Sequence, residues 1–259
     1  MAPRKTLVLS DIHANIEALR AVFRACFATF RPDVVVVAGD IIGYGPDPRL
    51  VIRMLQRGVA LLGGRLVAID GNHDREARDK EMPCGMHGDA AQCLDLNRDD
   101  LNPVDVAFLR GLAERAWVGD FTVMHDPLEM YVEEAHEART VLEYISTPHA
   151  IVGHTHLPGY FEATLVDDTQ TLRVSDFVPL LDGAEVTLEA GKRYVLNPGS
   201  VGQPRDGDPR AAYLELTEHA DGTTVVHARR VAYDVEATQA KMRDRGYPKR
   251  MITRLARGW

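Results

Sequence analysis

Along the first 156 residues the apolar positions alternate between two periods. Residues 6–11, TLVLSD, make a short β-rich run that stops at a polar pair. In NIEALRAVFRACFATF, residues Ile16, Leu19, Val22, Phe23, Cys26, Phe27 and Phe30 recur at helical spacing and form one apolar face. Residues 33–40, DVVVVAGD, are continuously apolar, as a strand covered on both faces must be. The turn GYGPDP then leads into a second helix over about 48–57. RLVAIDGNHD (65–74), FTVMH (121–125) and HAIVGHTH (149–156) predict three more strands, with a helix near 134–145 before the last.

Beyond His156 the pattern changes. GYFEATLV, QTLRVS, AEVTLEA, RYVLNPGS, AAYLELT and TTVVHARRVAY are short strands separated by Asp/Gly turns, which read as antiparallel hairpins. From Val235 to Trp259 the chain is helical and basic, with Pro248 as a break. There is no internal repeat and no linker. The expectation is one α/β domain over 1–259: a βα half to about 156, a hairpin half over about 157–233, and terminal helices over about 234–259.

Composition narrows the function classes. With 45% hydrophobic residues, 259 residues are enough for a sizeable core. A net charge of -8 argues against an extended nucleic-acid surface or an anionic membrane as partner. No apolar run approaches a membrane span or a signal-peptide core, and three cysteines do not make a disulfide framework. A reducing, cytoplasmic setting is the expectation.

Four of the predicted strands end in the same chemistry: SDIH at Asp11 and His13, GD at Asp40, GNHD at Asn72 to Asp74, and GHTH at His154 and His156. In an open α/β sheet, ligands bind beyond the carboxyl ends of the strands, so these residues converge on one rim. In an extended segment, residues i and i+2 face the same way, so Asp11 with His13, and His154 with His156, can each reach a common centre. Mixed oxygen and imidazole donors suit Mn, Fe, Co, Ni or Zn better than Ca or Mg. A carboxylate able to bridge, among enough neutral donors for two sets, suggests a two-metal site.

These motifs, in this order, resemble the calcineurin-like metallophosphoesterases, whose signature runs D-x-H, G-D, G-N-H-[D/E], H, G-H-x-H. The resemblance spans essentially the whole chain, and GDIIGYGPDP and NPGSVGQPRDGDPRAAY look like the small prokaryotic phosphodiesterase branch. It implies a four-layer sandwich, two central mixed β-sheets flanked by helices. It further implies that Asp11, His13 and His156 hold a first metal and that Asp40 bridges. Asn72, His154 and one further strand-end histidine hold the second, and His73 is a catalytic histidine outside the metal shell. Read alone, His125 in FTVMHDP is a partly buried histidine with one backbone hydrogen bond. Among His87, His125, His136 and His149, it is the one that ends a predicted strand, so it takes the vacant ligand position. Where the family has Gly-Ser after this histidine, this chain has Asp126-Pro127. That points to a shortened loop and leaves Asp126 as an extra acidic neighbour of the site.

The function implied is a dinuclear-metal phosphoesterase. It would hydrolyse phosphodiester or phosphomonoester bonds of small phosphorylated or nucleotide substrates through a metal-bridging hydroxide. Manganese is the first expectation for the two ions, with iron, zinc, cobalt or nickel as the others. His73 would supply a proton or a positive neighbour to the leaving group. Asp74 either orients His73 or caps the helix that follows. Arg205 and Tyr44 are candidates for substrate binding, and the glycines of the 197–205 segment could offer backbone N–H groups to an anion; the same segment also reads as a plain turn. Asn15 reads as a helix cap. Cys84, His87 and Cys93 lack the second close pair and fourth ligand of a zinc site, and the basic tail reads as a solvated helix face. Two alternatives stand beside the main reading: a dinucleoside polyphosphate hydrolase of the diadenosine tetraphosphate type, and a non-catalytic platform on the same fold. The platform would show lost ligands, and none is lost. Homo-oligomer formation is left open.

Overall fold

Three strands rich in valine and leucine begin the chain, and their alternation decides which way each side chain is buried. In the computed structural model, which describes residues 2–61, 63–79, 86–166 and 171–259, they are β1 (Arg4–Leu9), β2 (Val34–Ala38) and β3 (Arg65–Ile69). All three are parallel neighbours. Between them run α1 (Ile16–Thr29), then α2 (Pro48–Arg53), a π-helical turn at Met54–Gly58 and α3 (Val59–Leu61). Asn15 caps α1 by accepting from the Ala18 N–H at 3.1 Å, as its sequence position predicts.

After β3 come α4 (Asn72–Arg78), α5 (Gly88–Asp100) and α6 (Pro103–Arg110). The hairpin of β4 (Arg115–Val118) and β5 (Phe121–Met124) follows, then α7 (Ala135–Tyr144) and β6 (His149–Ile151). The rest is β7 (Pro158–Val166), β8 (Thr171–Val174), β9 (Val178–Pro179), β10 (Glu185–Leu188), β11 (Lys192–Pro198), β12 (Ala211–Glu218), β13 (Thr224–Val231), α8 (Val235–Asp244) and α9 (Lys249–Arg254).

The strands form two mixed sheets. One has the order β10-β13-β12-β1-β2-β3; the other runs β4-β5-β6-β11-β7-β8, with β9 paired to β7. After His156, β7 with β8 and β12 with β13 form antiparallel hairpins, and the strands of this half extend both sheets. β12 lies antiparallel to β1, and β11 lies parallel to β6. The break near 156 is therefore one of connection type. Long-range pairing of this kind leaves no local mark in sequence.

Side-chain alternation builds four layers. Leu7, Leu9, Val35 and Val37 face α1, α2, α5 and α6, whereas Val8, Val36 and Ala38 face the second sheet through Val123, Ile151 and Leu196. On that sheet's outer face Val195, Phe161 and Ala150 pack against Ala138, Val141 and Leu142 of α7. Burying each such aliphatic side chain contributes roughly 1.5–3 kcal/mol, so a one-residue slip of β1 or β2 would be strongly disfavoured. A fourth cluster joins Cys93 of α5 to Met242, Met251 and Ile252 of the terminal helices. Cys93 is thus core; Cys84 lies outside the described residues. No helix among the described residues is long and apolar enough to cross a membrane.

Candidate metal centre

The parallel strands β1, β2 and β3 of one sheet and β5 and β6 of the other all deliver polar residues at their carboxyl ends. Asp11 and His13 follow β1, Asp40 follows β2, Asn72 and His73 open α4 just after β3, His125 follows β5, and His154 and His156 follow β6. Three groups of ligand atoms come within 4.8 Å of one another: Asp11 with His13 and His156; Asp40 with His125 and His154; and His13 with Asp40 and His73. Of the seven sequence-predicted metal ligands, six fall in these groups. Asn72, an amide, joins them in the lining of one cavity of about 210 Å³ that also includes Asp40, His73, His154 and His156.

The backbone is turned sharply to bring them there. Asp11, His13, Asp40, His154 and His156 have φ of 52°, 47°, 52°, 72° and 63°, in the left-handed region. Each such non-glycine residue costs about 1 kcal/mol or more, and such conformations gather at functional sites. Two neighbouring glycines are required by close approach. A Cβ on Gly71 would collide with the Asp40 carboxylate, and one on Gly39, itself at φ 84°, would meet the His125 ring at 2.6 Å.

Hydrogen bonds aim the donor atoms inward. The Nδ1 of His125 donates to the Ala38 carbonyl at 2.8 Å, that of His13 to the Ile42 carbonyl at 3.1 Å, and that of His156 to the Gln203 carbonyl at 2.5 Å. Each bond selects the tautomer whose Nε2 is a free lone pair, the arrangement that orients metal-bound imidazoles. Asp11 accepts from the His154 N–H through Oδ2, and Asp40 from the His73 N–H through Oδ1. Their other oxygens face the imidazoles: Asp11 Oδ1 is 3.1 Å from His156 Nε2, while Asp40 Oδ2 is 3.2 Å from His125 Nε2 and 3.6 Å from His13 Nε2. The Nε2 atoms of His13 and His156 are only 3.1 Å apart.

This donor set fits divalent metal ions. Asp11 Oδ1, Asn72 Oδ1 and His125 Nε2 are buried without any hydrogen-bond partner. Buried polar atoms seldom remain unsatisfied unless a ligand uses them. The protonation tendencies agree. Burial pushes the carboxyl groups of Asp11 and Asp40 up, but the imidazoles around them, His156 and His125 respectively, outweigh it and hold both well below the usual range. Burial drives His73 down to about 3 and His156 down to about 4, and it lowers His154 with help from His125. His125 is the exception: burial lowers it, yet Asp40 prevails and raises it to about 10. The charge of Asp40 facing His125 Nε2 at 3.2 Å favours a positive charge between them, the place a cation would take.

Other sequence expectations need revision. Asp74 does not orient His73. Its carboxylate accepts from the backbone N–H groups of Ile41 and Gly71 at 3.0 Å and of Ile42 at 3.1 Å, so it caps α4 and fastens the turn after Asp40. Burial, with the charge of Asp40, raises it to about 7. The His73 Nδ1 is left buried without a partner. Asp126 is an acidic neighbour of the site, its charge acting on His154, and it is ion-paired: Arg75 of α4 binds it and also binds Asp70 at 3.1 Å. The 197–205 segment offers no glycine N–H to an anion: that of Gly199 goes to Asn197 and that of Gly202 to the Asp11 carbonyl. The segment supports the backbone of Asp11, and Ser200 Oγ donates to the same carbonyl at 2.8 Å.

Tyr44 and Arg205 both line the cavity. The Tyr44 ring lies 4.4 Å from that of His73 and 4.7 Å from that of His13, centroid to centroid. The Arg205 guanidinium lies 6.0 Å from the Tyr44 ring, and its Nε is buried without a partner. Two contributors have no motif to announce them. Tyr131 covers His154 with ring centroids 3.9 Å apart. Asn97 of α5 braces the loop of Tyr44, accepting from the Gly43 N–H and donating to the Gly45 carbonyl, both at 2.9 Å. Only the rise in apolar character around Cys93 and Leu94 hints at α5.

A model of the calcineurin-like phosphoesterase family matches residues 4–158, which hold all seven candidate ligands. The chain is 33% identical to a metallophosphoesterase from Sphaerobacter thermophilus of known structure, with 99% of this chain and 100% of that one covered and a TM-score of 0.79. It is 27% identical to an uncharacterized protein of Methanocaldococcus jannaschii over 97% of each chain. A hypothetical protein from Pyrococcus horikoshii shares the fold, with a TM-score of 0.73 at 17% identity over 100% of this chain and 99% of that one. The family match, the two mixed sheets and the cluster of aspartates and histidines at their common rim lead to one conclusion: this chain belongs to the calcineurin-like phosphoesterases and is a metal-dependent phosphoesterase.

Proposed function

We propose that the centre hydrolyses phosphomonoesters or phosphodiesters of small substrates with two divalent ions. Asp11, His13 and His156 would hold one, Asn72, His125 and His154 would hold the other, and Asp40 would be shared between them. The observation that carries this is the set of three orphaned, buried donors, Asp11 Oδ1, Asn72 Oδ1 and His125 Nε2. The first lies in one ligand group and the third in another. Mixed carboxylate, amide and imidazole donors suit divalent transition ions, with manganese taken first and iron, zinc, cobalt or nickel as alternatives. When bound, such ions supply Lewis acidity toward a phosphate oxygen and toward the attacking water.

The protein's own residues do the rest. Asp40 and Asp11 stay ionised and supply the negative charge that retains cations. The backbone carbonyls of Ala38, Ile42 and Gln203 hold three imidazoles in their ligand tautomer. His73 is 3% exposed on the cavity wall and neutral at pH 7, so it offers the leaving oxygen an N–H rather than a full positive charge. Arg205 faces the same space as an anion-binding group. The buried free cysteines Cys26 and Cys93 suit a reducing, cytoplasmic setting.

The test is aryl phosphodiester turnover with added Mn²⁺, alongside metal content by elemental analysis. Wild type should bind two ions and lose turnover to a chelator. His125→Ala should bind one. His73→Ala should lose about 10²–10⁴-fold, most on substrates with poor leaving groups. Unchanged metal content in His125→Ala would sink the ligand assignment. A panel of substrates that includes diadenosine polyphosphates separates the general phosphoesterase from a dinucleoside polyphosphate hydrolase.

A further inference from the structure

The cavity at the metal centre continues outward past Tyr44. Tyr44, His87 and Ala90 line both it and an adjoining space of about 470 Å³, whose other wall is Arg250, Met251 and Arg254 at the C-terminal end of the chain. That wall belongs to α9, outside the residues the family model matches.

Three arginines meet around this space, in a chain whose net charge is -8. Elsewhere several cations are neutralised by carboxylates. Lys241 pairs with Glu17 and Asp47, Arg210 with Asp182 and Asp208, and Arg78 with Asp70. Arg205, Arg250 and Arg254 pair with no Asp or Glu side chain among the described residues. Arg205 has only Gln203 Oε1 at 3.5 Å, and Arg254 gives Nε to the Trp259 main-chain oxygen and Nη1 to the Met251 sulfur at 3.8 Å. Arg250 is exposed. Asp89 is the one carboxylate among the residues lining this space, and it pairs with none of the three. Burial, and after it the charge of Arg205, lowers the pKa of Arg254, so these two like charges feel each other across Tyr44. An anion between them would relieve that repulsion. Planar guanidiniums bind phosphate through paired N–H donors, and several of them suit a dianion better than a single carboxylate. The net charge of -8 argues against a long polyanion as the occupant.

We infer that Arg250 and Arg254, with Arg205, form a second anion subsite beside the metal centre, and that the substrate is a small molecule carrying a further phosphate beyond the scissile ester. This rests on the phosphoesterase reading above and deepens it.

Two chromogenic esters test it: thymidine 5′-(p-nitrophenyl phosphate), and the same ester with an added 3′-phosphate. With Mn²⁺-loaded wild type, kcat/KM for the 3′-phosphorylated ester should be higher by about tenfold, chiefly through KM. In Arg250→Ala/Arg254→Gln that ratio should fall to within about twofold of unity. Equal kcat/KM for the two esters in wild type, or an undiminished preference in the double variant, would overturn the subsite. If wild type turned over neither ester, the phosphodiesterase half of the proposed function would fail, separately from the subsite. Calorimetric binding of thymidine 3′,5′-bisphosphate against thymidine 5′-monophosphate would then still decide the subsite, with about tenfold tighter binding expected in wild type and lost in the variant. Arg250→Ala alone, an exposed change, keeps both measurements available if the double variant does not fold.

Discussion

At the scale of single residues, the site was legible where chemistry shows in side-chain identity and obscure where it depends on backbone partners. The aspartates and histidines at the strand ends announce themselves. Nothing local distinguishes Asp74 as a clasp for three N–H groups from Asp74 as an orienter of His73, because its partners Ile41 and Ile42 lie more than thirty residues away. Asp74→Asn places an amide against backbone donors. It should lower stability by about 2–3 kcal/mol, read as a shift in urea midpoint, whereas a pure catalytic role would leave the midpoint alone. His149, at the start of β6, gives a second residue-scale expectation. Burial drives it down to about 4, and its Nδ1 accepts from the Tyr194 N–H at 3.2 Å. An unfolded histidine titrates near 6.5, so between these values the unfolded chain binds the extra proton. The contribution is therefore present above about pH 6.5 and lost as pH falls toward 4. Allowing for partial exposure of the ring, the loss is about 1–2 kcal/mol. Urea midpoints at pH 7 and pH 5 should differ more for wild type than for His149→Gln; parallel behaviour would count against it.

At the scale of elements, β1, β2, β3, β5 and β6 are readable because each is an apolar run ending in a polar cluster. β4 is not, since Arg115–Val118 is short and half of its residues are exposed. α5 is equally quiet, because the polar Asn97 and Arg98 are buried beside Cys93 and Leu94 and blur its apolar period. The basic tail reads as a solvated face, yet α8 ties Lys241 to Glu17 and Asp47, and Tyr247 donates to the Gly45 carbonyl at 3.0 Å. The segment after His125, where this chain departs from the family pattern, is likewise tied to an element. Through Arg75, Asp126 connects it to α4, the helix that begins with Asn72 and His73. Arg75→Met should cost about 1–3 kcal/mol and weaken affinity for the second metal ion in a titration. A double-mutant cycle with Asp126→Asn should show coupling. Additive effects of the two changes would mean that the pair does not act as a unit.

At the scale of the whole molecule, the alternation of Val34–Ala38 between two cores specifies a sheet covered on both sides, which is why the layered architecture could be anticipated. The pairing of β11 with β6 and of β12 with β1 could not, since those contacts join segments far apart in the chain. The same long reach shapes the rim. Its ligand residues come from both sheets, with Asp11, His13, Asp40 and Asn72 on one and His125, His154 and His156 on the other. Anything that binds all of them cross-links segments as distant as residues 11 and 156, and so contributes to folding as well as to chemistry. Removing metal with a chelator should thus lower the melting temperature. Hydrogen exchange should then quicken first in the turns after β1, β2 and β6, while β12 and β13 stay protected. In mechanical terms the two sheets form a book whose pages are clasped along one edge, and demetallation should open it from that edge.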